Sequence, residues 1–220
     1  MFKSIVWSST IDYPEQVSTV LFVDTCNWNC EYCHNKNLKD NPSLNFDNIL
    51  PRLLQRKNFI KHIVISGGEC TCYKELSQII DVLKSYGFII GIHTNGSNPK
   101  ILQNIIDNIN YIGMDIKSSK NNYNNIVKTQ IDFNTILQSI NIILESNCIY
   151  EFRTTLYPQI IKKDCLEIAK LLKELGAKQY YLQQFENTFV KTKLKPYSIE
   201  YIKEIRNDCN KIIPTILKGW

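Results

Sequence analysis

Phe88-Ile89-Ile90-Gly91-Ile92, residues 88–92, is the stretch whose reading decides the fold. Five successive residues with no polar side chain read as a strand buried on both faces, the habit of a central strand in a parallel sheet. Helical spacing precedes it, because Leu76, Ile79, Ile80 and Leu83 form one apolar stripe. The polar run His93-Thr94-Asn95-Gly96 follows it.

The same succession continues in both directions. Apolar, β-branched runs stand at residues 19–23, 63–66, 88–93, 111–116, 150–154 and 179–182. Further stripes run through Ile136, Ile140, Ile143 and Leu144, and through Leu166, Ala169, Leu172 and Leu175, the second stopping at Gly176. Strand and helix alternating six times predict an α/β fold with right-handed crossovers. The expected architecture is a partial (βα)6 TIM-like barrel with mainly parallel strands, since six units do not close as eight do. Ligands of such sheets bind at the C-terminal ends of the strands. No linker or composition shift divides the chain, so residues 1–220 are expected to form a single domain.

Bulk properties narrow the function. The chain has 220 residues, 44% of them hydrophobic and 21% charged, as in ordinary soluble globular proteins. No run approaches the roughly 20 apolar residues of a membrane helix, and the N-terminus lacks a secretory pattern. A cytoplasmic protein without membrane contact is expected. The net charge of +5 is dispersed, and Lys191, Lys193 and Lys195 read as a solvated loop rather than a nucleic-acid footprint.

Eight cysteines in such a chain read first as metal ligands or reactive thiols. Cys26, Cys30 and Cys33 cluster behind the first strand, Cys70 and Cys72 form a pair, and Cys148, Cys165 and Cys209 stand apart. Gaps of three and two residues let one loop wrap one side of a metal cluster, each sulfur reaching a different iron. A cubane cluster is usually held by four cysteines. Three would leave one iron open to a small chelating ligand, as a catalytic site requires. The motif alone also admits a zinc site, with His34 as a strained fourth ligand, or thiol chemistry.

C-x3-C-x2-C after the first strand, with the aromatic Tyr32 before the third cysteine, resembles the radical SAM superfamily. Ser66-Gly67-Gly68-Glu69 ends the next strand and resembles the element that binds the amino group of S-adenosylmethionine (SAM). The resemblance extends along the chain through Ile11-Asp12-Tyr13-Pro14, residues 26–35, Thr94-Asn95-Gly96, residues 114–117, 152–155 and 182–185. It points to the branch that activates anaerobic ribonucleoside-triphosphate reductase and other glycyl-radical enzymes.

That resemblance implies a [4Fe–4S] cluster on Cys26, Cys30 and Cys33, and SAM as second cofactor. It implies SAM contacts from Tyr32 near the adenine, from Gly67, Gly68 and Glu69, and from Thr94, Asn95 and Gln183. Arg153 could pair with the SAM carboxylate through its planar fork, and Asp115 and Lys117 could meet ribose, carboxylate or substrate. No catalytic residue is implied beyond the cluster and SAM. The implied partners are a glycyl-radical enzyme and a flavodoxin- or ferredoxin-like electron donor. A radical SAM enzyme acting on a small molecule, such as a modified-nucleoside precursor, is the alternative, and a non-enzymatic zinc or thiol protein a remote one. Three departures stand out: Cys70-Thr71-Cys72 where proline often follows Gly-Gly-Glu, His93 where aspartate is common, and Glu15 where glycine is common. Cys70 and Cys72 read as packing rather than an auxiliary metal site.

Overall fold

The computed structural model describes residues 2–186 and 194–219, so Lys191 and Lys193 of the expected solvated loop lie outside the described residues. One eight-stranded sheet runs in chain order: β1 (Phe2–Tyr13), β2 (Gln16–Val23), β3 (His62–Gly67), β4 (Ile89–Thr94), β5 (Tyr111–Asp115), β6 (Ile149–Thr155), β7 (Tyr180–Gln183) and β8 (Thr215–Lys218). β1 pairs antiparallel with β2, and every later pair is parallel. Helices α1 (Phe46–Arg56), α2 (Leu76–Ser85), α3 (Pro99–Ile105), α4 (Tyr123–Val127), α5 (Phe133–Glu145), α6 (Lys162–Glu174) and α7 (Ile199–Asn210) fill the connections. The six expected βα units are therefore present, running from β2 to α7.

Two strands lie outside that expectation. β1 is an edge strand whose register shifts between Phe2 and Ser4, Val6 and Ser9, and Ser9 and Tyr13, and such irregularities scramble a two-residue period. β8 spans only four residues, too few for a periodic signal.

The two faces of the sheet divide the labour. Leu21, Ile63, Ile65, Ile90, Ile92, Ile112, Met114, Phe152 and Leu182 are buried on the outer face, in one core with the helical stripes. Leu76, Ile79, Ile80 and Leu83 of α2 are all buried there, as are Ile136, Ile140 and Ile143 of α5. The inner face carries a smaller cluster of Tyr13, Val20, Val64 and Tyr111. The Tyr13 and Tyr111 rings, from β1 and β5, meet at 5.0 Å, which requires the sheet to curl. Among the described residues β1 pairs only with β2 and β8 only with β7. The curled sheet thus stays open, with a lateral cleft of about 560 Å³ between residues 10–15 and Lys218–Gly219.

The β1–β2 turn explains the cost of Glu15. Tyr13 pairs with Gln16, so Pro14-Glu15 is the whole connection, and Glu15 takes φ = 57°. That left-handed conformation costs a side-chain-bearing residue about 1 kcal/mol. Glu15→Gly should raise the free energy of unfolding by at most roughly 0.5 kcal/mol once the added freedom of the unfolded chain is subtracted, read as a slightly later urea midpoint. A lower midpoint would mean that the carboxylate makes a stabilising contact.

Candidate active site

The chain leaving β2 is fixed before it reaches the first cysteine. The Gly68 N–H donates to the Val23 carbonyl at 2.7 Å and the Glu69 N–H to the Thr25 carbonyl at 2.6 Å. Side chains have no room at this crossing: a Cβ on Gly67 would collide with the Val23 backbone, and one on Gly68 with that of Thr25. The glycine pair is thus a close-approach device that sets where the cysteine loop begins.

Other tethers hold the loop itself. The Asn29 N–H donates to the Val127 carbonyl at the end of α4, 3.1 Å away, and the Cys33 N–H to the Cys30 carbonyl at 3.3 Å. Trp28 meets Tyr123 edge-on at 5.8 Å. Past the third cysteine, Asn35 Nδ2 donates to the Gly67 carbonyl at 2.5 Å.

The two-residue alternation of the strands turns Ser66, His93, Asp115, Arg153 and Gln183 inward, one at the C-terminal end of each successive strand. They share one cavity of about 340 Å³ with Cys26, Cys30, Cys33, Tyr32 and Lys117. Every residue expected at the site lines this cavity except Glu69. Its carboxylate lies behind the wall, fully buried, where Oε1 accepts from the Thr71 N–H at 3.1 Å, the Thr71 hydroxyl at 2.5 Å and the Thr94 hydroxyl at 2.6 Å. Oε2 accepts from the Asn95 N–H at 2.5 Å. Burial raises the Glu69 carboxyl, and these four bonds oppose the rise.

Charge in the cavity is organised around Asp115. Its carboxylate takes Lys117 Nζ at 2.8 Å and Arg153 Nε at 2.9 Å. Burial alone would raise the Asp115 carboxyl; the two cations, Arg153 first, hold it well below the carboxylate range. Burial works to lower Lys117 as well, and Asp115 reverses this. Gly113 makes the arrangement possible, because a Cβ there would stand 2.6 Å from Arg153 Nη1 and 2.9 Å from His93 Cδ2. Two cations against one anion leave a net positive wall.

His93 belongs to the same layer but carries no charge. Burial, then the nearby Arg153, pushes its imidazole well below the ordinary range. Hydrogen bonding assigns the tautomer: the Ser66 hydroxyl donates to Nδ1 at 3.2 Å, and Nε2–H donates to the Asp12 carbonyl at 3.1 Å. A neutral histidine here ties β4 to β1.

Tyr32 stacks on Tyr157 with centroids 4.7 Å apart, and Lys117 Nζ lies 5.7 Å from its ring centre. Its buried hydroxyl has no hydrogen-bond partner among the described residues. Cys70 and Cys165 are buried, as packing requires. Sequence reasoning missed Tyr157, the stacking partner of Tyr32, and Asn35, the tether to Gly67; for Asn35 the signal was at hand, since it lies beside the cysteine motif.

The donor set fits a multi-iron cluster. Among the described residues no three His, Cys, Asp or Glu side chains are grouped around a single ion position. Cys26, Cys30 and Cys33 all line the one cavity, as ligands to different metal atoms of one cluster would. His34 turns elsewhere, its Nε2 lying 2.7 Å from the Glu186 carbonyl.

Comparison with known proteins agrees. Residues 20–172 match the Radical SAM superfamily. The chain belongs to this superfamily. The cofactors of this radical SAM protein are therefore a [4Fe–4S] cluster and SAM. A protein of Methanocaldococcus jannaschii that bears the name of a glycyl-radical enzyme activating enzyme is 35% identical over 84% of this chain and 80% of its own. The 7-carboxy-7-deazaguanine synthase of Neisseria meningitidis is 34% identical over 34% of each. Among solved structures, Streptococcus suis SuiB bound to precursor peptide SuiA superposes with a TM-score of 0.74 at 12% identity, covering 91% of this chain and 48% of SuiB. That likeness is one of fold, and the chain spans about half the length of SuiB. No described helix is long and apolar enough to cross a membrane.

Asp115→Asn tests the charge cluster. The variant leaves two buried cations with a neutral partner and should lose roughly 2–3 kcal/mol at pH 7, somewhat less than for a fully buried pair. A carboxylate held below its unfolded value stabilises the fold above that value. The deficit should therefore persist down to pH 5 and shrink as the pH falls through about 4. Equilibrium denaturation across this range is the check.

Proposed function

We propose that this radical SAM enzyme is an activating enzyme that generates a glycyl radical on a partner protein, with anaerobic ribonucleoside-triphosphate reductase as the substrate. The observation that carries the reading is the continuity of two spaces. The cysteine-lined cavity and the lateral cleft share Asp12, His34, Arg153, Thr155 and Gln183. A backbone segment of another protein, too large for a cavity of about 340 Å³, could approach from the side. Similarity over most of both chains to a protein named as such an activator supports this reading.

Cys26, Cys30 and Cys33 would hold the cluster and leave one iron for SAM. When bound, the pair would supply one-electron radical chemistry, with the electron coming from the donor protein, for removal of a hydrogen atom from the glycine Cα. The chain's own residues bind and orient. The Lys117–Asp115–Arg153 wall, with its net positive charge, suits the SAM carboxylate. Glu69 is engaged by four protein donors, so the ammonium group falls to the glycine-pair backbone and its neighbours. The Tyr32–Tyr157 stack walls the side where the adenine would lie. Exposed Cys26 leaves the cluster within reach of a flavodoxin- or ferredoxin-like donor.

A small-molecule reaction is the second reading, supported by the shorter match to 7-carboxy-7-deazaguanine synthase. Electron paramagnetic resonance separates the two. The reduced, reconstituted protein with SAM and an anaerobic ribonucleotide reductase should give a glycyl radical signal on the reductase. SAM cleavage without that signal, but with turnover of a modified-nucleoside precursor, would reverse the choice.

A further inference from the structure

Thr71 engages Glu69, but the two thiols of the Cys70-Thr71-Cys72 turn have no part in the reading above, and Cys72 touches the cysteine loop directly. The Asn27 N–H donates to Cys72 Sγ, and Asn98 Nδ2 donates to the same sulfur at 3.3 Å and to the Thr71 hydroxyl at 2.9 Å. The next amide points the other way, the Trp28 N–H donating to Cys26 Sγ. Consecutive amides therefore serve two sulfurs, one a cluster ligand and one not. The side chain between them is pinned at both ends: Asn27 Oδ1 accepts from Asn95 Nδ2 at 3.1 Å, and Asn27 Nδ2 donates to the Ser97 hydroxyl at 2.8 Å. Asn95 is fixed in turn by Glu69, through its N–H, and by Ser97, whose N–H donates to Asn95 Oδ1 at 2.9 Å.

We propose that Asn27 is a positioning residue for the iron–sulfur cluster, and that Asn95, Ser97 and Cys72 form the bracket that holds it. Locked on three sides, the Asn27–Trp28 peptide cannot rotate, so the Trp28 N–H stays aimed at the Cys26 sulfur. Hydrogen bonds to cluster sulfurs stabilise the more negative, reduced state and raise its potential. Partners behind a ligand also govern how tightly the metal is held. Cys72 acts as a hydrogen-bond acceptor, not as a metal ligand. This assignment rests on the cluster at Cys26, Cys30 and Cys33 and is independent of which partner the enzyme acts on.

The test uses the full chain, anaerobically reconstituted, with redox titration of the cluster and iron loss to a chelator as readouts. Asn27→Ala should move the reduction potential to a more negative value, alter the spectrum of the reduced cluster and weaken iron retention about tenfold. In the apoprotein the same change should slow alkylation of Cys26 by iodoacetamide, because the Trp28 N–H no longer favours the thiolate, while leaving Cys33 unchanged. Cys72→Ala should shift the potential in the same direction, whereas Cys72→Ser, which keeps an acceptor, should restore it. If Asn27→Ala does not fold, Ser97→Ala removes one bracket contact alone and should give a smaller shift of the same sign. Wild-type potential, spectrum and iron retention in Asn27→Ala, or in Ser97→Ala where that variant is needed, would overturn the proposal. So would equal loss of iron in both Cys72 variants, which would make Cys72 a ligand. A wild-type chain that takes up no cluster would instead defeat the cluster assignment itself.

Discussion

Where β3 ends, its backbone lies directly against the backbone that leaves β2, with no side chain between them. Gly67 and Gly68 allow this approach, and two amide hydrogen bonds of 2.7 and 2.6 Å fasten it. Everything at the site is downstream of that contact. It fixes the start of the cysteine loop, brings the Gly67 carbonyl within reach of Asn35, and turns Glu69 back toward the end of β4. A parallel sheet places successive strand ends side by side, but only a side-chain-free crossing lets two loops share one small volume.

The interior is polar because the outer face bears the core. Apolar residues of each strand face the helices, which leaves the alternate positions free to carry charge. Those charges are costly to bury and survive by pairing. Asp115 holds Lys117 and Arg153, and lower in the barrel Glu151 accepts from Lys218 and from the Tyr111 hydroxyl. His93 shows the same economy from the other direction: buried, with Arg153 nearby, it stays neutral and serves as a hydrogen-bond relay between strands. The result is a cavity lined by two cations, Lys117 and Arg153, and two acidic side chains, Asp12 and Asp115, with both cations drawn onto Asp115.

Much of this is written in local sequence patterns. Six strands announce themselves by short runs rich in apolar and β-branched residues, and the helical stripes of α2, α5 and α6 give the crossovers. The cysteine spacing and the positions of Asp115, Lys117, Arg153 and Gln183 at or just past the ends of their strands foretell the cavity wall. What escapes has a physical reason. β1 is bulged and exposed at the edge, so its alternation is broken. β8 is short and ordered by its neighbours, including the Lys218–Glu151 ion pair, a contact across 67 positions. The bonds that engage Glu69, and those that make Asn27 a node, join residues far apart in the chain; no local period encodes them.

The central claim is a cluster held by three thiolates with its fourth iron free to take SAM. Mössbauer spectroscopy of the ⁵⁷Fe-reconstituted protein, with and without SAM, tests it most directly. A [4Fe–4S] spectrum in which SAM changes one iron site out of four is the expected result. A cluster whose four irons are all indifferent to SAM, or a protein that binds zinc in place of iron, would contradict it.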